Sequence, residues 1–327
     1  MISFAAFRKR ATTAAGLSTL GSWRCLVSAF GTSDRITAVF RDARASRKLW
    51  LTFPEHRSSL GQIPKGCFDY DCREEDDFIT EFLAQANLPD EGICIDCTGF
   101  LKPHLMFMLR ALKAAGQKSV DVIYAEPDYY AAKEKTSFAG EVVEDLRPVR
   151  GFESSMREGK SDLLIVGSGY DPQLTRAICV KKAHARKLVL LGFPSLRPEM
   201  YQESLLRTSE AGEALGFLVG QDDKTLFAPA NDPFATAAVV HDVVSRSRLD
   251  SIDELDVYLC PLGTKPQTLG LALYYLLEAD HTSVTVYSPF ASDVPSDPSR
   301  GIGKVWLYTI DFALLSEIET ELHGAKA

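Results

Sequence analysis

Two Lys-Pro pairs, Lys102-Pro103 and Lys265-Pro266, have the residue types and setting that point most directly to chemistry. A residue before proline is biased away from the helical region, which suits a helix N-cap. Proline then fits the first helical position, where its missing N–H is no loss. Each lysine is therefore expected at the seam where a strand ends and a helix begins. In an open α/β sheet, ligands bind along that carboxyl edge. The helix start supplies unpaired N–H groups and partial positive charge, and the lysine adds a full charge. The combination suits an anion, above all a phosphate. Gly263 and Thr264 precede Lys265, so Gly263, Thr264 and Lys265 are the first choice of ligand-binding residues, with Lys102, Thr98 and Gly169 behind them. The plain alternative for either lysine is a solvated loop position.

Gly167-Ser168-Gly169-Tyr170-Asp171-Pro172 follows an apolar run and precedes a helix-like stretch, the setting of a dinucleotide loop. Pro172 stands where a third glycine would be, and the next strand ends in Gly-Phe-Pro-Ser, without the acid that grips a ribose. A phosphate or carboxylate site and a tight turn both remain open here. Asp96 either holds a ribose hydroxyl, acts as a base, or caps the turn that follows it. Glu126 heads a segment, Glu-Pro-Asp-Tyr-Tyr, that is either a sugar- or base-binding edge or a turn with exposed acids. Asp96 and Glu126 are thus the candidate acid and base of any reaction. Asn231 or Asp232 is expected to cap a helix that opens at Pro233. The seven cysteines are odd in number and scattered, which argues against a disulfide framework. Cys94 and Cys97 have CxxC spacing but lie in a strand-like run, where residues three apart face opposite ways. The expectation is free thiols, no metal and no cofactor.

The elements that must position these residues are short and mostly unalternating apolar runs separated by helix-like stretches. The runs cover 25–30, 49–53, 93–97, 120–124, 163–166, 187–193, 257–260, 284–287 and 305–310. The helix-like stretches cover 34–46, 75–86, 103–115, 171–185, 198–215, 232–246, 265–278 and 312–322. Unalternating runs suit strands covered on both faces, and the alternation of the two patterns gives a layered α/β, Rossmann-like fold with mainly parallel sheets and helices on both faces. One unit occurs twice. Residues 93–126 align with 256–289 without a gap, so that Cys97, Lys102, Pro103 and Tyr124 fall on Cys260, Lys265, Pro266 and Tyr287. The charged stretch 131–160 reads as a linker or hairpin between two halves. The Ser-, Pro- and Gly-rich stretch 291–304 reads as a loop over a site or a flexible connection. The division expected is a loose N-terminal extension over 1–22, a Rossmann-like unit over 23–150, and a second such unit over 151–327 that carries Gly263-Thr264-Lys265.

Composition narrows the function. With 46% hydrophobic and 24% charged residues the chain is neither disordered nor fibrous. A formal net charge of −8 supplies no general field for nucleic acid. No apolar run reaches membrane-spanning length, so no membrane partner is expected and the location expected is cytoplasmic. The P-loop, HExxH, GxSxG and kinase patterns are absent from the sequence.

The segment VYLCPLGTKPQTLGLAL, residues 257–273, resembles the strand–Gly-Thr-Lys–helix motif of CRISPR-associated Rossmann-fold (CARF) sensor domains. The matching residues are Gly263, Thr264 and Lys265, with Leu262 where family members often carry another glycine. The resemblance extends more loosely to 93–126. It implies binding of a cyclic oligoadenylate, work as a homodimer or beside an effector protein, and a role in antiviral defence. The expected function is accordingly a sensor or regulatory protein for a small anionic ligand, a nucleotide. Two alternatives stand beside it: an enzyme acting on a nucleotide or phosphorylated metabolite, and a scaffold subunit of a defence complex.

Overall fold

The computed structural model describes Phe4 and residues 7–130, 143–154, 161–220, 223–251, 254–279, 281–294 and 299–312. The chain divides into two compact units, residues 1–136 with 293–327, and residues 137–292.

The first unit is built on β1 (Arg8–Thr12), β2 (Ser22–Ala29), β3 (Arg44–Thr52), β4 (Phe68–Asp69), β5 (Ile93–Asp96), β6 (Ser119–Ala125) and β15 (Val305–Asp311). Their order in the sheet is β1-β15-β6-β5-β2-β3-β4. From β6 to β4 the strands are parallel, and counted along the chain those five run 3-2-1-4-5 across the sheet. Helices α1 (Asp34–Asp42), α2 (Glu75–Ala86) and α3 (Lys102–Ala114) connect them. A small ladder joins β7 (Tyr129–Tyr130) to β14 (Ser299–Arg300).

The second unit has β8 (Val143–Pro148), β9 (Ser161–Gly167), β10 (Arg186–Gly192), β11 (Thr225–Ala228), β12 (Leu255–Pro261) and β13 (Val284–Ala291), in the order β11-β10-β9-β12-β13-β8. All neighbours are parallel except β8, which lies antiparallel to β13. Its five parallel strands also run 3-2-1-4-5. Helices α4 (Pro172–Lys181), α5 (Pro198–Ser209), α6 (Pro233–Asp250) and α7 (Lys265–Leu277) make the crossovers. The reason for the parallel sheet is visible in β12, where all seven residues are buried. Only a strand covered on both faces tolerates such a run. The helix α7 is likewise buried from Pro266 to Leu277 and packs on α6. Gly270 permits this approach, because a side chain there would run into the Pro233 carbonyl and the Thr236 side chain of α6.

The layered α/β reading holds, with two similar units. The repeated segment is strand 4–helix–strand 5 in both: β5-α3-β6 and β12-α7-β13, with a 13-residue helix in each. Four expectations need correction. First, residues 8–20 of the segment 1–22 are not a loose extension: β1 pairs with β15, and Leu17 in the turn after it is fully buried. Four exposed, largely basic residues on that strand hid an edge position that needs no apolar alternation. Second, the strand at 305–311 belongs to the first sheet, where it pairs with β6, although it follows the second unit in the chain. Third, each lysine sits at the first helical position, not at the cap; Leu101 and Thr264 are the N-caps. Fourth, part of the stretch read as a linker, 143–148, is a strand of the second sheet. Residues 131–142 and 155–160 of that stretch, and all but the first residue of the helix expected over 312–322, lie outside the described residues. Among the described residues no helix is long and apolar enough to cross a membrane.

Candidate functional site

In a sheet of order 3-2-1-4-5 the chain leaves strands 1 and 4 in opposite directions, and the gap between their carboxyl ends is where ligands bind. In the second unit those strands are β9 and β12. The turns that leave them are Gly167-Ser168-Gly169 and Leu262-Gly263-Thr264, side by side at the edge. Gly169 is packed so closely that a Cβ on it would fall on the Leu262 carbonyl oxygen. The turn after β9 is anchored from below: Ser168 N–H donates to Leu190 O at 2.9 Å, and the Ser168 and Thr208 hydroxyls are hydrogen-bonded.

Helix α7 opens on a reciprocal cap. Thr264 Oγ1 accepts from the Gln267 N–H at 3.3 Å, and Gln267 Oε1 accepts from the Thr264 N–H at 3.2 Å. The Thr264 hydroxyl donates to Ala230 O at 2.5 Å. Thr264 is therefore a positioning residue whose side chain ties the helix start to the segment before α6. Lys265 follows as the first helical residue, half-buried, as are Gly263 and Thr264.

The caps of the neighbouring helices differ in charge. Asp171 caps α4, its Oδ1 accepting from Gln173 N–H and Leu174 N–H at 3.0 and 3.1 Å. Asp232 caps α6 in the same way, accepting from Phe234 and Ala235 at 3.1 Å each, as the Asn231/Asp232 reading expected. A carboxylate already occupies those two helix starts and opposes a second anion. The α7 start carries a neutral threonine and glutamine instead. Electrostatics thus favours the Gly263–Lys265 turn over the helix start beyond Gly169.

The corresponding edge of the first unit is filled by its own polar groups. Asp96 is fully buried; its Oδ2 accepts from the Ser28 hydroxyl at 2.7 Å and its Oδ1 from Thr98 N–H at 3.0 Å. Thr98 Oγ1 in turn accepts from Ala125 N–H at 3.1 Å, and Ala125 O accepts from Arg35 Nη1 at 2.6 Å. Gly99 closes the turn onto β2, its Cβ position lying 2.6 Å from Ala29 O. Lys102 opens α3 at the rim of this network, after an N-cap, Leu101, that offers no side-chain bond. Of the two acid–base candidates, Asp96 caps its turn, one of the readings the sequence left open. Glu126 is also buried, and its Oε1 accepts from Trp306 Nε1 at 2.6 Å.

Cys94 ends up on β5 and Cys97 in the short turn that follows it, both buried; burial pushes the Cys94 thiol well above its usual range. Two residues of the second unit escaped the sequence reading. Gln267 was legible in principle, from the Thr-x-x-Gln spacing of a capping box. Phe193, just past β10, had no pattern to announce it. Its ring is 52% exposed and lies 5.0 Å from Tyr201 and 6.1 Å from Phe227.

No protein-family model matches this chain, and no curated protein does. Among solved structures it is similar to a type III CRISPR defence DNA nuclease activated by cyclic oligoadenylate, at 12% identity and a TM-score of 0.45. That match covers 80% of this chain and 65% of the nuclease. A precorrin-6A reductase is similar at 11% identity and a TM-score of 0.24, over 83% of this chain and 90% of the reductase.

Proposed function

We propose that this protein binds a small anionic ligand, a nucleotide, at the start of α7, and that it works as a sensor or regulatory protein in antiviral defence. One observation carries the reading: the Gly169 and Gly263-Thr264-Lys265 turns adjoin at the strand-order reversal of a 3-2-1-4-5 sheet, at a helix start free of a carboxylate cap. The resemblance of Gly263-Thr264-Lys265 to the CARF sensor motif supports sensing and defence. Phe193 is half exposed just past β10, the strand whose last residue, Gly192, adjoins Gln267, and this reading assigns its ring to stack on a base. The commitment of Asp96 and Glu126 to internal hydrogen bonds supports binding without turnover.

The test is calorimetry with ATP, AMP and cyclic oligoadenylates. A charge-assisted hydrogen bond contributes about 1.5–3 kcal/mol, so Lys265→Ala should weaken binding roughly 10- to 150-fold. Lys265→Arg should restore part of it, because the planar fork needs more room than an ammonium. Lys102→Ala should leave binding unchanged, and the ligand should be recovered intact by mass spectrometry. A nucleotide that binds wild type and Lys265→Ala equally well would place the site elsewhere.

A further inference from the structure

Gln267 is 2% exposed, and its amide cannot be turned around. The Thr264 N–H can only donate, so the atom 3.2 Å from it must be the carbonyl oxygen Oε1. That fixes Nε2 on the opposite side, directed toward Gly192 at the end of β10, 3.7 Å from where a Cβ of that glycine would stand. Among the described residues no atom accepts from Nε2. A buried donor without an acceptor costs about 1–3 kcal/mol, a cost that closing the helix cap does not itself require. The amide bridges the carboxyl ends of β12 and β10, since its Oε1 also lies against Gly263. It thus spans the floor of the strand-order reversal, beneath the rim formed by Gly263, Thr264 and Lys265.

We infer that Gln267 is a ligand-reading residue: its Nε2 donates to an acceptor oxygen of the anion held at the start of α7, while its Oε1 keeps the helix cap closed. The inference rests on the binding reading above and adds a selection rule. The site takes a ligand that presents an oxygen acceptor toward Gly192, and it rejects one that presents an amine there. Because one side chain serves both cap and ligand, ligand binding also fixes the geometry of the turn that holds Lys265.

The decisive variant is Gln267→Glu, which retains the capping-box acceptor and replaces the donor with a carboxylate. Calorimetry at pH 8 with ATP and cyclic tetra-adenylate should show at least a tenfold loss; the buried carboxylate should also lower the thermal midpoint, so affinity is measured on the folded protein well below that midpoint. Gln267→Met, nearly the same size and without a donor, should lose affinity to a similar extent. Whether or not either variant folds, the wild-type side-chain amide gives an independent reading by NMR. On addition of the nucleotide, the Gln267 Nε2 protons should move downfield and exchange more slowly. If wild type binds a nucleotide that Lys265→Ala loses, while Gln267→Glu and Gln267→Met bind it as wild type does and the amide signal stays put, the role of Gln267 is overturned and the binding reading stands. If wild type binds none of the probes, both fall.

Discussion

Gly169 and Leu262 meet backbone to backbone, the second residue after strand β9 lying against the carbonyl of the first residue after strand β12. This approach couples the two turns of the candidate site, and it is open to glycine alone. In Gly169→Ala the new methyl must displace the Leu262 carbonyl, and with it Gly263 and the start of α7. Overpacking against backbone costs on the order of 1–3 kcal/mol. The expected result is a lower urea midpoint, with nucleotide affinity falling at least tenfold because Lys265 moves with the turn. An unchanged affinity would show that the two turns act independently.

Phe193→Ala tests a nucleotide site against a phosphate site. Stacking of a base on an aromatic ring contributes about 1–3 kcal/mol. Phe193→Ala should therefore weaken ATP binding roughly 5- to 150-fold and leave the affinity for inorganic tripolyphosphate as it was. Half of the residue is buried against Tyr201 and Phe227, so the thermal midpoint should fall only modestly. Equal loss for both probes would mean that the variant disturbs the β10 edge and not a base contact.

The layered fold was legible because apolar runs such as 163–166 and 257–260 lack alternation, and only strands covered on both faces tolerate that. The repeat was legible through Lys102, Pro103 and Tyr124 against Lys265, Pro266 and Tyr287. What the local pattern did not carry was partnership. Val305–Asp311 reads as a strand, but nothing in its seven residues says that it pairs with β6 and not with its chain neighbours. The basic edge strand Arg8–Thr12 exposes what a core strand would bury, and so it read as a tail. The site was half legible. Gly263, Thr264 and Lys265 announce a turn into a helix, whereas the unmet donor of Gln267 and the filled edge around Asp96 depend on which neighbours the fold supplies.

Asp96 should behave as an internal strut. Asp96→Ala removes acceptors from both the Ser28 hydroxyl and Thr98 N–H, leaving two buried donors at a cost of about 1–3 kcal/mol each. All three tryptophans, Trp23, Trp50 and Trp306, lie in the first unit, so their fluorescence follows that unit alone. The tryptophan unfolding midpoint should drop clearly in Asp96→Ala, and nucleotide affinity of the folded protein should be retained. Retained stability with lost ligand turnover would instead make Asp96 a reacting group.

The stability of the first unit should depend on pH through Glu55. This residue sits in the turn after β3, is 5% exposed, and is pushed up to about 7 by burial; hydrogen bonding at its own backbone, Arg73 and Arg57 act against the rise, and Glu75 adds to it. The ordinary value for the unfolded chain is 4.5. Below about pH 4.5 the carboxyl is protonated in both states and carries no penalty. Between 4.5 and 7 the unfolded chain releases the proton while the folded chain keeps it. Stability therefore falls as pH rises, by up to about 1.4 kcal/mol per pH unit, and the loss is complete above 7 at about 3 kcal/mol. Glu55→Gln keeps the shape and removes the proton. Urea unfolding followed by tryptophan fluorescence should find the two proteins similar near pH 4.5, and the glutamine variant progressively more stable toward pH 8. Other titrating groups contribute alike to both proteins, so the difference isolates Glu55. A difference that stays flat from pH 5 to 8 would mean that the folded carboxyl ionises at its ordinary pH, held as a carboxylate by Arg57 and Arg73.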